Sequence, residues 1–180
     1  MFTLFYEREK KTLKLKCQSR VGFPEYSKYL YKKHYDIYDD DLCVGELDLI
    51  FVEVKACERD HYCDVVDLLY EIHPDVYEAI VLDYVLEHSK AIIINNLQIY
   101  EKYRNRGYGR LALDKIIAYI YKYFIRNNNS ACLCAQIVPK HYSDTQENVD
   151  LRLLHFYLIN GFDYVGFNSS RKPLVMKDFW

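Results

Sequence analysis

The stretch Leu97 to Arg110, LQIYEKYRNRGYGR, constrains this chain more than any other, because it joins a strand pattern to a helix pattern through glycines. Ala91 to Ile94 is apolar and β-branched, which favours a buried strand. From Leu111 onward the apolar residues fall at helical spacing: Leu113, Ile116, Ile117, Ile120 and Phe124. Gly107 and Gly109 stand at the switch, among Arg104, Arg106 and Arg110. Glycine permits a tight turn and the close approach of a ligand to the backbone. A helix start leaves N–H groups unpaired, with the positive end of the helix dipole behind them. Strand, turn and helix start together make an anion site suited to a pyrophosphate.

Other glycine signatures fit less well. An RNA-recognition strand motif needs further aromatics where Arg110 and Leu113 stand, and a phosphate-binding P-loop needs a Gly-Lys-Ser/Thr ending. A dinucleotide fingerprint needs a third glycine where Ala112 stands. The plain alternative is a helix start tightened by glycine, with a basic solvated face.

The stretch resembles the R/Q-x-x-G-x-G/A signature of the GNAT superfamily of acyl-CoA-dependent N-acyltransferases, read here as Arg104, Asn105, Arg106, Gly107, Tyr108, Gly109. Upstream, the family's apolar-x-apolar strand is matched by Leu97, Gln98 and Ile99, followed by Glu101 and Tyr103; the family's proline is missing. A second family signature, a helix carrying Phe-Tyr and ending in Asn-Gly-Phe, is matched by Phe156, Tyr157, Asn160, Gly161 and Phe162. The two motifs stand in the family's order, and the resemblance covers roughly residues 90–180.

The resemblance implies a set of roles. The cofactor-binding residues would be Leu97, Gln98, Ile99, Arg104, Asn105, Arg106, Gly107, Tyr108, Gly109 and Arg110. The N–H groups from Arg106 to Leu111 would hold the pyrophosphate of acetyl-CoA, with Arg106 and Arg110 adding charged contacts. The backbone of Leu97 to Ile99 would pair with the pantetheine arm and polarise the thioester carbonyl, while the strand Ala131 to Gln136 splays away. Tyr157 would protonate the departing thiolate, a task open to a phenol of pKa about 10. Most of the nineteen tyrosines must be packing residues, and its motif sets Tyr157 apart. The family's carboxylate on the cofactor strand falls on Asn95 and Asn96. An amide cannot take a proton from an ammonium, though it can bind the acceptor or orient a water, so both are assigned to the substrate side. Glu71, His73, Asp75, Glu87 and His88 are candidates for the base, with none preferred.

The rest of the chain reads as one domain of 180 residues without repeats or linkers. Leu13, Leu15 and Cys17 alternate with lysines as a half-buried strand, and Leu42 to Val54 reads as a long strand or hairpin. Between them, a Tyr- and Lys-rich stretch from Phe23-Pro24 to about His34 is expected to be helical. Asp64 to His88 reads as two helices divided at Pro74, a departure from the family outline just before the cofactor strand. Beyond the helix of Leu111 to Phe124, a stop at Asn127 to Asn129 precedes a strand from Ala131 to Val138. A helix from Asn148 to Ile159 closes at Gly161, and strands follow at Tyr164 to Phe167 and Leu174 to Phe179. The fold class expected is a mixed α/β (α+β) one: a GNAT-like, largely antiparallel central sheet flanked by helices.

Charge is unevenly spread behind a net value of −2. Residues 1–34 carry nine Lys/Arg and three Asp/Glu, residues 35–89 two and sixteen, and residues 90–180 thirteen and seven. A basic C-terminal half suits a phosphate-rich cosubstrate, and an acidic middle suits a cationic acceptor. The same carboxylates disfavour a broad nucleic-acid footprint. No apolar run is long enough for a membrane helix, no signal peptide is evident, and the six cysteines form no disulfide framework, so a cytoplasmic protein is expected. Neither Cys132 with Cys134 nor Cys57, His61 and Cys63 makes up a zinc site, and no metal is expected. The activity implied is an acetyl-CoA-dependent N-acetyltransferase acting on a primary amine, in a small cation or a protein, by direct attack in a ternary complex. The alternative is a non-catalytic GNAT-fold module that binds acyl-CoA and a protein partner; a homodimer stays open.

Overall fold

A computed structural model describes residues 13–23, 28–53, 67, 70, 90–125, 130–137, 146–167 and 172–179. Leu13–Gly22 (β1), Leu30–Asp39 (β2) and Leu42–Glu53 (β3) run as an antiparallel meander. The described part of the stretch ending at His34 is therefore turn and strand, not the expected helix. Tyr31, Tyr35 and Ile37 recur at a spacing of two or four and are all buried on one face, where aromatic and β-branched residues favour a strand. Lys33, which broke the apolar pattern, points to that same face. Its ammonium lies 5.6, 5.1 and 5.7 Å from the rings of Tyr31, Phe51 and Tyr119 and donates to the Tyr119 hydroxyl at 3.3 Å. A lysine stem laid across aromatic rings satisfies both packing and charge.

Lys90–Ile99 (β4) pairs antiparallel with β3 and parallel with Ala131–Gln136 (β5), and the helix Tyr108–Tyr123 (α1) lies between them in the chain. After Gln146–Ile159 (α2) come Asp163–Phe167 (β6) and Pro173–Phe179 (β7), giving one sheet in the order β1-β2-β3-β4-β5-β7-β6. All its pairings are antiparallel except β4 with β5. This is the mixed, mostly antiparallel α/β architecture expected. The helix begins at Tyr108, three residues ahead of the apolar pattern. Of the helices expected within Asp64 to His88 only Asp67 and Tyr70 are described, both helical; the stop at Asn127 to Asn129 and the strand end at Val138 lie outside the described residues.

Apolar side chains are buried on both faces. On one, Ala112, Leu113, Ile116 and Ile120 of α1 pack with Leu47, Leu49, Phe51, Ile92 and Ile94. On the other lie Leu30, Ile50, Val52, Ala91, Ile93, Cys132 and Cys134. Each fully buried aliphatic side chain contributes on the order of 1.5–3 kcal/mol. The imperfect alternation of β3 has its cause here: both faces of its middle are covered. Cys132 and Cys134 are buried thiols, 3.9 Å apart, packed as small apolar residues.

Candidate functional site

The site originates where β4 loses a neighbour. Its parallel ladder with β5 runs from Lys90 opposite Ala131 to Ile94 opposite Ala135 and stops there. β5 continues with β7 instead, through Gln136 opposite Leu174, and the Ile137 N–H donates to the Pro173 carbonyl at 2.9 Å. On its other side β4 keeps β3, but the register shifts: Leu49 faces Ile94, Asp48 faces Asn96, and Asn95 is the extra residue. Such a bulge sharpens the local twist and re-aims the strand. Between the parted strands lies a cleft of about 620 Å³.

One wall of the cleft is the start of α1. Tyr100 donates its N–H to the Val44 carbonyl (2.9 Å), a short 3-10 turn runs from Glu101 to Tyr103, and Arg104 Nε donates back to the Ile99 carbonyl at 3.1 Å. Asn105 (φ 60°) and Gly107 (φ 84°) are left-handed. Asn adopts that conformation at modest cost and glycine at none, which is why the chain can reverse into a helix here. The Tyr108 hydroxyl donates to Asp39 Oδ2 at 2.5 Å and ties the helix start to the β2–β3 turn. Gly107, as N-cap, offers no side chain to the first turn, and that turn carries no acid. A helix start leaves first-turn N–H groups without intrahelical acceptors, here those of Gly109 and Arg110 beside the cleft. Their dipole and the Arg104 and Arg110 guanidinium groups all favour an anion. The donor set fits a diphosphate.

Gly109 serves a purpose that spacing alone did not reveal. A Cβ at this position would sit 3.3 Å from Phe156 Cζ. The glycine of the first motif therefore makes room for the first aromatic of the second. Phe156 and Tyr157 of α2 stand 5.3 Å apart edge to face, and Tyr157 packs on Phe162 at 5.1 Å. Asn160 Nδ2 donates to the Phe156 carbonyl (2.6 Å) and the Phe162 N–H to the Tyr157 carbonyl (3.2 Å), closing the helix end. Tyr157 is buried, and its hydroxyl has no hydrogen-bond partner among the described residues. Burial pushes its phenol well above the ordinary tyrosine range, so it stays protonated at neutral and moderately alkaline pH.

The cleft lining brings together Asn95, Asn96, Leu97, Gln98, Ile99, Arg104, Asn105, Gly107, Tyr108, Gly109, Arg110 and Tyr157. Arg106 is the expected residue missing from it: it is exposed, with its guanidinium 6.0 Å from the Tyr103 ring. Sequence reasoning missed Arg152, which lines the cleft beside Leu153 and Phe156. The signal was available, because Arg152 stands one helical turn before Phe156 and shares its face. Glu71, His73, Asp75, Glu87 and His88 lie outside the described residues. Among those described, no group of three or more His, Cys, Asp or Glu is placed to hold a metal ion.

A polar network on β2 and β3 carries no sequence motif. Asn96 Nδ2 donates to Glu46 Oε1 at 2.8 Å. Next to it, Asp48 receives His34 Nδ1 at 2.7 Å and Lys32 Nζ at 3.0 Å. Burial works against the Asp48 charge, but the hydrogen bonds from His34 and Lys32 outweigh it and hold the carboxyl below its ordinary range.

No family model and no curated protein matches the sequence. Among solved structures the chain is similar to an acetyltransferase from Thermus thermophilus, at 17% identity and a TM-score of 0.46 over 82% of this chain and 64% of that one. It is similar also to the Bacillus subtilis N-acetyltransferase YlbP in complex with coenzyme A (14%, TM-score 0.42, 80% and 66%). A third likeness is to Arabidopsis thaliana NAA60 in complex with acetyl-CoA (10%, TM-score 0.46, 82% and 75%). The chain spans just under two thirds of the length of the first two, 64% and 66%. The parted β4 and β5, the glycine turn into α1 and the contact between Gly109 and Phe156 are features of this chain's own geometry.

Proposed function

We propose that this chain is a GNAT-type, acetyl-CoA-dependent N-acetyltransferase that acylates a primary amine. The observation that carries the reading is the continuity of one cleft from the uncapped start of α1, past the one-sided half of β4, to Tyr157. Bound acetyl-CoA would supply an acetyl group activated as a thioester. The N–H groups of Gly109 and Arg110, with the side chains of Arg104, Arg110 and Arg152, would hold its pyrophosphate. The free edge of Leu97 to Ile99 would take the pantetheine arm as an added strand. Tyr157 keeps a proton on its hydroxyl for the departing sulfur, and the raised phenol suits a hydrogen bond to developing negative charge. The acceptor is read as a cation from the sixteen carboxylates of residues 35–89.

A second reading, an acyl-CoA-binding module without turnover, is favoured by the amides Asn95 and Asn96, which stand where the resemblance would place a carboxylate. Coenzyme A binding by calorimetry, and thiol release from acetyl-CoA with a panel of amines, separate the two. The enzyme reading expects both; tight binding with no thiol release from any amine sinks it and leaves the module. Absence of binding removes both readings.

A further inference from the structure

An acid stands at the end of an apolar row. In β2, Tyr35 and Ile37 are buried on the face that packs on α1, and Asp39 comes next in that alternation, half-buried opposite the buried Leu13 of β1. A carboxylate in such a place is costly without a partner. Its partner is the Tyr108 hydroxyl, which donates to Asp39 Oδ2 at 2.5 Å from 69 residues further along the chain. Tyr108 is buried in turn, with its ring edge-on to Tyr103 at 6.3 Å. It is also the first residue of α1, directly before Gly109 and Arg110 of the anion site.

The bend that carries this site is held at both ends by side chains. At its start Arg104 Nε donates to the Ile99 carbonyl of β4, and at its end Tyr108 donates to the last residue of β2. Between them Asn105 and Gly107 are left-handed, and the space where a Gly107 Cβ would stand is open. A glycine bend with nothing packed on it has many conformations to choose from. Its direction therefore depends on its anchors.

We propose that Asp39 is a positioning residue for the anion site: through the Tyr108 hydroxyl it fixes the direction in which the first-turn N–H groups of α1 meet a diphosphate. The role rests on the coenzyme A reading above. A hydrogen bond to a carboxylate is shorter and stronger than one between neutral groups, so it is a firm anchor for the helix start. Donors held in place beforehand bind an anion better than donors that must be ordered as it arrives. By its charge alone Asp39 would repel a diphosphate. Its bond and its charge thus act in opposite directions on one ligand, and substitution can separate them.

The test is the affinity for coenzyme A by titration calorimetry at constant ionic strength, read beside the urea unfolding midpoint without ligand. Asp39→Ala and Tyr108→Phe each remove the bond, and each should weaken coenzyme A about tenfold or more. Asp39→Asn keeps an oxygen to accept from the hydroxyl and removes the charge, so it should bind at least as tightly as wild type. Combining Asp39→Ala with Tyr108→Phe should weaken binding no further, because both break one bond. A bond that only fastens β2 to α1 would lower the unfolding midpoints and leave the affinities alone. Unchanged affinity in either single variant therefore overturns the role, as does an Asp39→Asn protein as weak as Asp39→Ala, or losses that add in the double variant. If Asp39→Ala does not fold, Tyr108→Phe, which keeps the packed ring and loses only the hydroxyl, decides with Asp39→Asn. Wild type that binds no coenzyme A overturns the coenzyme A reading and the role with it, whereas the other outcomes overturn the role alone.

Discussion

In β4, the half from Lys90 to Ile94 is hydrogen-bonded to a strand on each side, whereas among the described residues the half from Asn95 to Ile99 pairs with β3 alone. Composition follows the pairing. Ala91, Ile92, Ile93 and Ile94 are buried between two apolar layers, while Asn95, Asn96 and Gln98 are half-buried and polar. Within one strand, full pairing goes with stability, and a missing neighbour leaves backbone donors and acceptors for something else to meet. The contrast shows how a sheet can hold a cleft without a cavity in its core.

Four experiments would break or sharpen that contrast. The largest effect is expected on the open side, where Tyr157→Phe should lower kcat about 10²–10⁴-fold while unfolding midpoints stay put. An undiminished kcat would return Tyr157 to packing. Next comes the closed side: Ile92→Ala should cost about 2–5 kcal/mol in denaturant unfolding, because Ile92 is fully buried. If coenzyme A affinity fell as steeply in the folded variant, the two halves would not be separable. Third, Gly107→Val strains a left-handed turn by on the order of 1–2 kcal/mol and should weaken coenzyme A more than tenfold, since a Cβ there meets no protein atom within 4 Å. Equal affinity would remove the anion site. Gly109 is the poorer probe, because its Cβ would strike Phe156.

The smallest effect concerns Asp48, opposite Asn96. Its carboxyl is depressed in the folded chain, so its contribution to stability is present above about pH 4 and lost as pH falls through the depressed value. Asp48→Asn should flatten that part of the acid-unfolding curve by under about 1 kcal/mol. Urea unfolding at several acidic pH values would read it, and parallel curves for both proteins would count against the network.

Much of the wall formed by β4 and the start of α1 was legible because its signals are local. Two glycines, a switch from strand to helical spacing, and the Phe-Tyr and Asn-Gly-Phe positions each need only neighbours in sequence to be recognised. What was missed depends on contacts across strands. Lys33 looked polar and helical until Tyr31, Phe51 and Tyr119 surrounded it. Arg106 looked like an anion ligand, yet it is exposed and is not among the residues lining the cleft, whereas Arg104, Arg110 and Arg152 are. His34, Glu46 and Asp48 had no motif to mark them. Their meaning comes from register, and a shift of one residue would have put them on the other face.

By itself the sequence determined that a strand must run into a glycine turn and a helix start able to take an anion, and that a second helix ends in Asn-Gly-Phe. Tertiary structure alone decided that β5 leaves β4 after Ile94, that Phe156 fills the space above Gly109, and that a histidine from β2 stands in line with Asn96. Turn and helix propensities act between neighbours along the chain. Strand partners and register are set by distant residues that meet only when the sheet is assembled.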